Sequence, residues 1–526
     1  MRYLLIIILM LSSAFGQADL AHKCGFASIP HAGTHVTRSG DRDIPQFDEL
    51  LLDESIVSPQ GHFRVHFTRT GDNAVPDAGG SGTPSYVLEA ALAADSAYTV
   101  LVDDLGFLPP LPDDGIDGEE LDVYIRDWNG SFYGMTYFGN SAPSITYLVI
   151  DNDYTESSYA TSGLAALRVT IAHEFFHMVQ LRYAYPFENS DEWSNAYWYE
   201  ISSTWMEEKC YPQVDDYHAY VEDNFRQSSF PNLNDDRYGY AFSYGHGLFG
   251  QILDLEYGKS GGKHIMLDIW EELAGREATD NLDQVLRSSP WGSSLTQAVG
   301  KYALYNVFTG SRSITSKYYP DAPDLPEVSM HEYELPEIYP ENLSVVLQPF
   351  EIAFKKFTIP TYSDFHIRGE DMSSEQIAYL TYHGFEDGSS LKSALGDYWV
   401  ACKNVSSQDY IVLPMLNGDR DEGATFTLKF EGSTLPLQNI IQILWPNPSI
   451  PSIEQPKLSY MIAEPGRVEL KIFNILGQVV YSEHRERSEG LKVVELQVPE
   501  TSPAGLYFVQ IFTAKAVMSR KFTVLK

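Results

Sequence analysis

The chain has 526 residues, of which 44% are hydrophobic and 13% aromatic. It is too rich in core-forming side chains to be disordered in bulk, and it has room for about three or four domains. Its 72 acidic and 36 basic residues give a formal net charge of −36 at pH 7. Such a chain repels nucleic acid and anionic membrane surfaces, so neither is expected as a partner.

The N-terminus has the pattern of a secretory signal peptide. Arg2 precedes an uncharged apolar run over residues 3–11, and Ala14-Phe15-Gly16 offers small residues where a signal peptidase cuts. We predict a signal peptide over 1–16, with cleavage before Gln17. Its apolar core is too short to span a bilayer comfortably, and no later stretch approaches about 18 apolar residues. The sequence thus predicts an exported chain without a transmembrane segment.

Cysteine usage gives little support for a disulfide framework. The three cysteines, Cys24, Cys210 and Cys402, can form at most one bridge within the chain, and the sequence does not indicate which. Cys24 lies in residues 17–58, which form a polar N-terminal extension or a removable pro-segment. Two interpretations of Cys24 stay open: a buried or disulfide-bonded cysteine, or a latch whose thiolate occupies a metal until the segment is removed.

Residues 59–318 have the pattern of an α+β domain. The predicted elements are a helix at 86–105 and strands at 62–67, 121–125 and 144–150. The last of these strands comes shortly before a longer apolar helix. That order fits a site located between a sheet edge and a helix.

The longer helix is predicted over 163–181 and contains His173-Glu174-Phe175-Phe176-His177. Apolar residues recur at three- and four-residue spacing and also cover its other sides, so the helix should be buried. Unpaired polar groups are costly inside a protein, so His173, Glu174 and His177 are expected to have a function there. His173 and His177 project from one face and can share one metal ion, and Glu174 can reach a water on that metal. The alternative is a pair of core histidines that are hydrogen-bonded to the backbone.

A tetrahedral catalytic zinc needs a third protein ligand and one open position for water. The predicted ligand is Glu200, which can point from the segment 196–208 toward the first helix. Glu207 and Glu208 are rivals, although Glu207, two turns further on, better suits an outer role or a solvated face. Ser203 and Glu207 are candidates for orienting the histidines.

These motifs resemble the gluzincin metallopeptidases, in which a glutamate after the paired histidines completes the zinc site. Residues 58–275 also resemble a group of secreted bacterial metalloproteases. The resemblance implies a zincin-like catalytic domain with one catalytic Zn²⁺. It also implies a Tyr or His that stabilises the oxyanion, for which we choose Tyr244 in the segment 244–249, with His246 second. An aromatic side chain packed in a Tyr-rich core is the alternative for Tyr244.

The expected function is zinc-dependent hydrolysis of peptide bonds, most simply as an endopeptidase. Zinc would activate a water, and Glu174 would accept its proton and deliver it to the leaving amine. Tyr244 would hold the developing oxyanion. The alternative function is that of a catalytically inactive zincin-fold protein for surface adhesion or binding. The intact His173, Glu174 and His177 favour the enzyme; the sequence indicates neither substrate nor cleavage preference.

The residue pattern changes after position 318. Prolines punctuate a predicted linker over 319–342, and short alternating strands over 343–435 predict an accessory β-sandwich of unindicated role. The expected fold class is thus an α+β zincin-like catalytic domain followed by two β-sandwich domains. Asp-rich loops such as 111–117 make Ca²⁺ a conceivable second cofactor, but none has the spacing of a known calcium motif.

The second predicted β-sandwich occupies 440–526, with a turn at Leu476-Gly477. Its motifs are Trp445-Pro446-Asn447-Pro448, a strand over 467–473 and Ala504-Gly505-Leu506-Tyr507. The segment closely resembles the type A C-terminal sorting domain of type IX secretion substrates in the Bacteroidetes and their relatives. The resemblance implies that the type IX machinery is a partner and that the protein is released or attached to the surface. A generic immunoglobulin-like repeat is the alternative.

Overall fold

The computed structural model of the protein describes most of the chain. The described residues are 22–26, 52–76, 80–112, 118–139, 142–186, 195–230, 233, 240–314, 317–334, 341–358, 363–370, 373, 375–379, 381–383, 400–405, 410–432, 439–445, 447, 449, 451, 455–487, 490–499 and 501–525. The predicted signal peptide and most of the Asp-rich loop 111–117 lie outside them.

Nine α-helices occur within these residues, together with a π-helical stretch at Thr99–Asp104 and a 3₁₀ turn at Gly310–Arg312. The α-helices are α1 (Ser85–Tyr98), α2 (Gly163–Gln180), α3 (Ala196–Cys210), α4 (His218–Phe225), α5 (Tyr240–Gly245), α6 (Gly247–Glu256), α7 (Ile265–Glu272), α8 (Ala278–Arg287) and α9 (Leu295–Val307).

The strands fall into three groups along the chain. In the N-terminal region they are β1 (His22–Cys24), β2 (Glu54–Val57), β3 (Phe63–Phe67), β4 (Leu121–Arg126), β5 (Phe132–Phe138), β6 (Thr146–Asp151), β7 (Ser229–Phe230), β8 (Lys259–Ser260) and β9 (Lys263–His264). The middle region contains β10 (His331–Glu334), β11 (Glu341–Leu347), β12 (Ile352–Thr358), β13 (Ser363–Glu370), β14 (Gln376–Ala378), β15 (Thr381–His383), β16 (Val400–Val405), β17 (Tyr410–Asn417) and β18 (Ala424–Gly432). The C-terminal region contains β19 (Ile440–Trp445), β20 (Lys457–Ile462), β21 (Gly466–Asn474), β22 (Val479–Arg487), β23 (Gly490–Glu495), β24 (Gly505–Phe512) and β25 (Val517–Val524).

A six-stranded mixed sheet carries the N-terminal region, in the order β1-β5-β6-β4-β3-β2. Strands β3, β4 and β6 are parallel, β5 is antiparallel to β6, and β1 is parallel to β5. Helix α2 packs on β5 and β6, and α1 packs on β3 and on α2. All six residues of β6 are buried, as is typical of a strand covered on both faces.

Helix α2 is the centre of this region. Every side chain from Val169 to Gln180 is buried, so its apolar residues contact the sheet, α1 and α3. Helix α3 is buried from Ala196 to Glu207. Aromatic rings fill the space between elements; Phe176, for example, lies 6.1 Å from the ring of Trp205. Polar side chains on the facing sides of α2 and α3 are therefore enclosed by the two helices and the sheet.

The middle region contains two sheets that share one apolar core. One sheet has the order β10-β12-β17-β14, with β15 on β17 and β7 on β12, and the other has the order β11-β18-β13-β16. Strand β10 lies inside the predicted linker 319–342 and pairs with β12. Four further residues of that segment, Tyr319, Ala322, Leu325 and Val328, are buried in the large N-terminal core. Prolines end helices but do not prevent burial, so part of the segment predicted as a linker is packed against its neighbours in this structure.

The C-terminal region also forms two sheets around one core, in the orders β19-β20-β23 and β22-β21-β24-β25. The predicted turn at Leu476-Gly477 joins β21 to β22. Gly477 has a φ of 76°, a left-handed conformation that glycine adopts without strain. The Asn474 side chain accepts hydrogen bonds from the backbone N–H groups of Leu476 and Gln478 and so closes the turn.

Candidate metal centre

Three of the predicted ligands converge between α2 and α3. Nε2 of His173 lies 3.1 Å from Oε2 of Glu200 and 3.1 Å from Nε2 of His177, and the His177–Glu200 separation is 3.5 Å. Ligand atoms about 2.0–2.1 Å from one tetrahedral zinc are about 3.3 Å apart. All three residues are buried, so the arrangement has the interatomic distances and the exclusion of water expected of a zinc site.

Gln180 fixes the orientation of the His177 ring. Its amide nitrogen donates to the backbone carbonyl of Tyr199 and to the hydroxyls of Ser202 and Ser203. A carbonyl can only accept, so the amide oxygen of Gln180 must face Nδ1 of His177, 2.7 Å away. Nδ1 therefore carries the hydrogen, and Nε2 presents a lone pair to the site.

Glu207 has the same role for His173. Its Oε1 lies 2.7 Å from Nδ1 of His173, which donates to it. Burial disfavours the charged imidazole, but the hydrogen bonds and charges of Glu200 and Glu207 outweigh it and raise the pKa of His173 to about 9. For Glu200, the two histidines outweigh burial and lower the pKa to about 2.

These contacts bring several electron-pair donors together between the two helices. Two imidazole nitrogens and one carboxylate oxygen meet there, and Oε1 of Glu200 is buried without a hydrogen-bond partner among the described residues. Lone pairs this close repel one another unless a cation, either a bound proton or a metal ion, lies between them. Two imidazoles and one carboxylate are a donor set that zinc accepts in catalytic sites. The residues therefore fit a zinc ion.

Glu174 lies beside this cluster and is fully buried. The hydroxyl of Thr136 on β5 lies 2.7 Å from its Oε2 and 2.9 Å from its backbone carbonyl, and both oxygens accept from the one hydroxyl hydrogen. Burial raises the pKa of Glu174, and the neighbouring histidines and Thr136 offset this only in part. Gly134 makes room for it: a Cβ at that position would lie 2.9 Å from Cγ of Glu174 and 2.7 Å from Cγ2 of Thr170.

Cys24 is the fourth member of the cluster of potential metal ligands. Its sulfur and the ligand atoms of His173, His177 and Glu200 all lie within 4.8 Å of one another. Cys24 and Cys210 are both free thiols, so the disulfide alternative for Cys24 was wrong, whereas its burial is observed. Burial and the charges of Glu174 and Glu200 raise the pKa of the Cys24 thiol well above its usual value. The side chain of Cys402 lies outside the described residues.

The two candidates for the oxyanion donor differ in position. Tyr244 is at the site: its hydroxyl accepts a hydrogen bond from the backbone N–H of Cys24 and lies 3.4 Å from the Cys24 carbonyl. His246 faces away, with Nδ1 2.8 Å from the hydroxyl of Tyr302, and burial lowers its pKa to about 3. His246 is thus packed in the core beside Tyr302 in this structure, away from the metal-centre residues.

The remaining candidates, Ser203 and Glu208, also differ in position. Ser203 lies 3.2 Å from Nδ1 of His177, as expected for an orienting group. Glu208 points out of the cluster, where burial and the charges of Asp321 and Asp215 raise its pKa to about 8. Glu208 is therefore not a ligand in this arrangement.

Several residues of the site were not predicted from the sequence. Gln180 follows His177 by three positions on the same helix, so helical spacing was a signal for it. Thr136 and Gly134 belong to β5, which was not predicted because its sequence has no alternation of polar and apolar residues. Lys23, whose ammonium lies 2.5 Å from Glu207, gave no signal because it is 184 positions away in the chain.

Replacing Glu207 by glutamine tests the orienting contact. The amide keeps the shape of the side chain but removes the negative charge that holds the Nδ1 hydrogen of His173. We expect zinc affinity to fall by about 10- to 100-fold, measured by competition with a chromophoric chelator. Glu208→Gln is the matched control, since it makes the same substitution one residue further on, at a side chain that points out of the cluster, and should leave affinity within about twofold. Equal affinities of Glu207→Gln and the unaltered protein would contradict the assignment.

Comparison with known proteins identifies the C-terminal region. Residues 443–525 match the secretion system C-terminal sorting domain. The protein carries a type IX sorting tail. It is therefore a secreted or cell-surface protein that interacts with the type IX secretion machinery through this domain. Over the described residues, none of the helices combines the length and the apolar character needed to cross a membrane.

The other comparisons give weak likenesses or none. Comparison with curated proteins finds no match. Among solved structures, PorZ of Porphyromonas gingivalis is 17% identical over 19% of this chain and 14% of its own, with a TM-score of 0.14. Latent PorU of the same organism is 13% identical over 35% of this chain and 20% of its own, with a TM-score of 0.17. Likenesses at these scores carry no argument about fold or function.

Proposed function

We propose that this secreted protein is a zinc metallopeptidase with endopeptidase activity. The observation that carries the proposal is the convergence of two oriented imidazole nitrogens and the Glu200 carboxylate beside a second buried carboxylate, Glu174. A site for structural zinc has no need for a neighbouring base. Glu174 is the additional group that hydrolysis requires.

His173, His177 and Glu200 would hold the zinc ion. When bound, zinc polarises a carbonyl group and makes water a stronger acid. Glu207, Gln180 and the groups bonded to Gln180 keep both imidazoles in the tautomer that presents Nε2 to the ion.

Glu174 would act as the general base. Its raised pKa gives the carboxylate a higher proton affinity than an exposed glutamate, which suits acceptance of a proton from water near neutral pH. The hydrogen bond from Thr136 fixes Oε2 and so orients the carboxylate. The same group would then return the proton to the leaving amine.

The edge of β5 and the hydroxyl of Tyr244 would bind the substrate backbone. The N–H of Gly25 donates a 2.9 Å hydrogen bond to the carbonyl of Gly134, so the site already accommodates an extended peptide along this edge. Tyr244 contacts a backbone N–H and lies near a carbonyl of that peptide. A substrate carbonyl in the same place would accept a hydrogen bond from the Tyr244 hydroxyl as negative charge develops on its oxygen.

Digestion of a mixed peptide library tests the proposal. Two forms of the protein are compared with chelator-treated samples. One is the secreted protein, with its N-terminus determined by mass spectrometry. The other is the full chain carrying Lys23→Ala and Cys24→Ala, because these two residues of the N-terminal segment lie at the site. We expect cleavage that is lost on chelation and restored by zinc. A zinc-loaded protein that cleaves nothing in either form would contradict the peptidase and favour the binding protein.

A further inference from the structure

We propose that residues 22–26 are an internal inhibitor of the metal centre, in which the Cys24 thiolate is the fourth metal ligand. This inference rests on the proposed function. It assigns a latent state to the chain, because a tetrahedral zinc with four protein ligands keeps no position for water. Hydrolysis would then begin only after residues 22–26 leave the site.

The position of the sulfur carries the first step of the argument. A cysteine that merely fills a core packs against apolar atoms, whereas Cys24 faces two imidazoles and the carboxylates of Glu174 and Glu200. Oε1 of Glu200 is buried there without a hydrogen-bond partner among the described residues, which independently indicates a missing cation. With one thiolate and one carboxylate as ligands, the two positive charges of zinc are balanced, as a dry site requires.

Backbone pairing holds the segment along the sheet edge. Strand β1 pairs with β5 in parallel, with Cys24 opposite Gly134, and the pairing continues through the hydrogen bond from Gly25 to Gly134. Tyr244 accepts a hydrogen bond from the Cys24 N–H on the other side. The segment therefore occupies both the edge strand and the hydroxyl that the proposed function assigns to the substrate.

Lys23 anchors the segment through two buried carboxylates near the metal ligands. Its side chain is only 2% exposed, and its ammonium lies 2.5 Å from carboxylate oxygens of both Glu207 and Asp216. Glu207 is the residue that orients His173, and Asp216 also accepts a hydrogen bond from Tyr133. A buried lysine between two carboxylates is strongly positioned, because breaking a buried ion pair leaves uncompensated charges. The sulfur is thus fixed through its neighbour in the chain.

Phe26 covers the other side of the cluster. Its ring is fully buried and stacks on the His177 ring at 4.2 Å with an angle of 4° between the planes. The rings of Phe138 and Tyr199 lie 5.0 and 5.6 Å away. Together, Lys23, Cys24 and Phe26 exclude water from the metal ligands, which is the property expected of an inhibitory segment.

X-ray absorption at the zinc edge tests the ligand directly, without reference to activity. In the zinc-loaded full chain we expect one sulfur atom at about 2.3 Å from zinc, together with nitrogen and oxygen ligands at about 2.0–2.2 Å. Cys24→Ala should remove the sulfur and keep the zinc, whereas Cys210→Ala, the control for the other described thiol, should keep both. A zinc-loaded chain without a sulfur ligand, or a sulfur that persists in Cys24→Ala, would overturn the inference and leave the peptidase proposal standing.

Peptide cleavage tests the inhibition. The full chain carrying Lys23→Ala and Cys24→Ala should cleave at least tenfold faster than the unaltered full chain, and Cys210→Ala should not change the rate. Equal rates in the presence of a sulfur ligand would overturn the inhibitory role. Sulfur ligation with no cleavage by any form, including the secreted protein, would support the ligand assignment and contradict the peptidase.

Discussion

Replacing Glu174 by glutamine in the chain that carries Lys23→Ala and Cys24→Ala is expected to lower kcat by about 10²- to 10⁴-fold. Glutamine has nearly the same shape and can still accept the hydrogen bond from Thr136, so the packing on β5 is kept. It cannot accept a proton from water or deliver one to the leaving amine. Zinc content and the melting temperature should therefore stay close to those of the parent chain, and only turnover should fall.

The control for this substitution is Glu222→Gln, which changes an exposed glutamate on α4 that is paired with Arg226. An exposed ion pair contributes little, so its rate should match that of the parent within about twofold. Turnover by Glu174→Gln at the parent's rate would show that another group is the base. A loss of zinc from this variant would instead show that Glu174 is needed to build the site.

The parts of the site that the sequence predicted are those connected by local spacing. His173 and His177 are one helical turn apart, and the apolar residues around them required a buried helix, so their common face followed from the pattern alone. Glu200 could be chosen because a helical segment over 196–208 lets it point toward the first helix, and α3 is helical there. Local periodicity thus predicts which residues lie on a face and leaves the choice of partner open.

The parts that the sequence did not predict depend on contacts between distant segments. Whether Cys24 was a core thiol or a latch could not be decided, because strand β1 is three residues long and its pairing with β5 has no local signal. Lys23 is placed by carboxylates from α3 and from the segment before α4. Tertiary packing also distinguished Tyr244 from His246, two residues apart in the chain, by turning only one of them toward the metal ligands.

Peptides with a large aromatic side chain close to the cleaved bond are expected to be the best substrates. Once residues 22–26 leave, the space filled by the Phe26 ring becomes a pocket bordered by His177, Phe138 and Tyr199. Burying an aromatic side chain contributes about 1.5–3 kcal/mol, which corresponds to about 10- to 150-fold in kcat/KM relative to a peptide with alanine there. Peptides that differ only by phenylalanine or alanine within two residues of the cleaved bond measure this ratio.

The pocket assignment predicts which variant changes that ratio. Phe138→Leu removes an aromatic wall, so the preference for phenylalanine should fall while cleavage of the alanine peptide stays nearly constant. Phe512→Leu, in the sorting domain, is the matched control and should leave the ratio unchanged. If the phenylalanine and alanine peptides were cleaved equally well by the chain carrying Lys23→Ala and Cys24→Ala, the Phe26 ring would be part of the inhibitory segment alone, and substrate selection would lie elsewhere along the β5 edge.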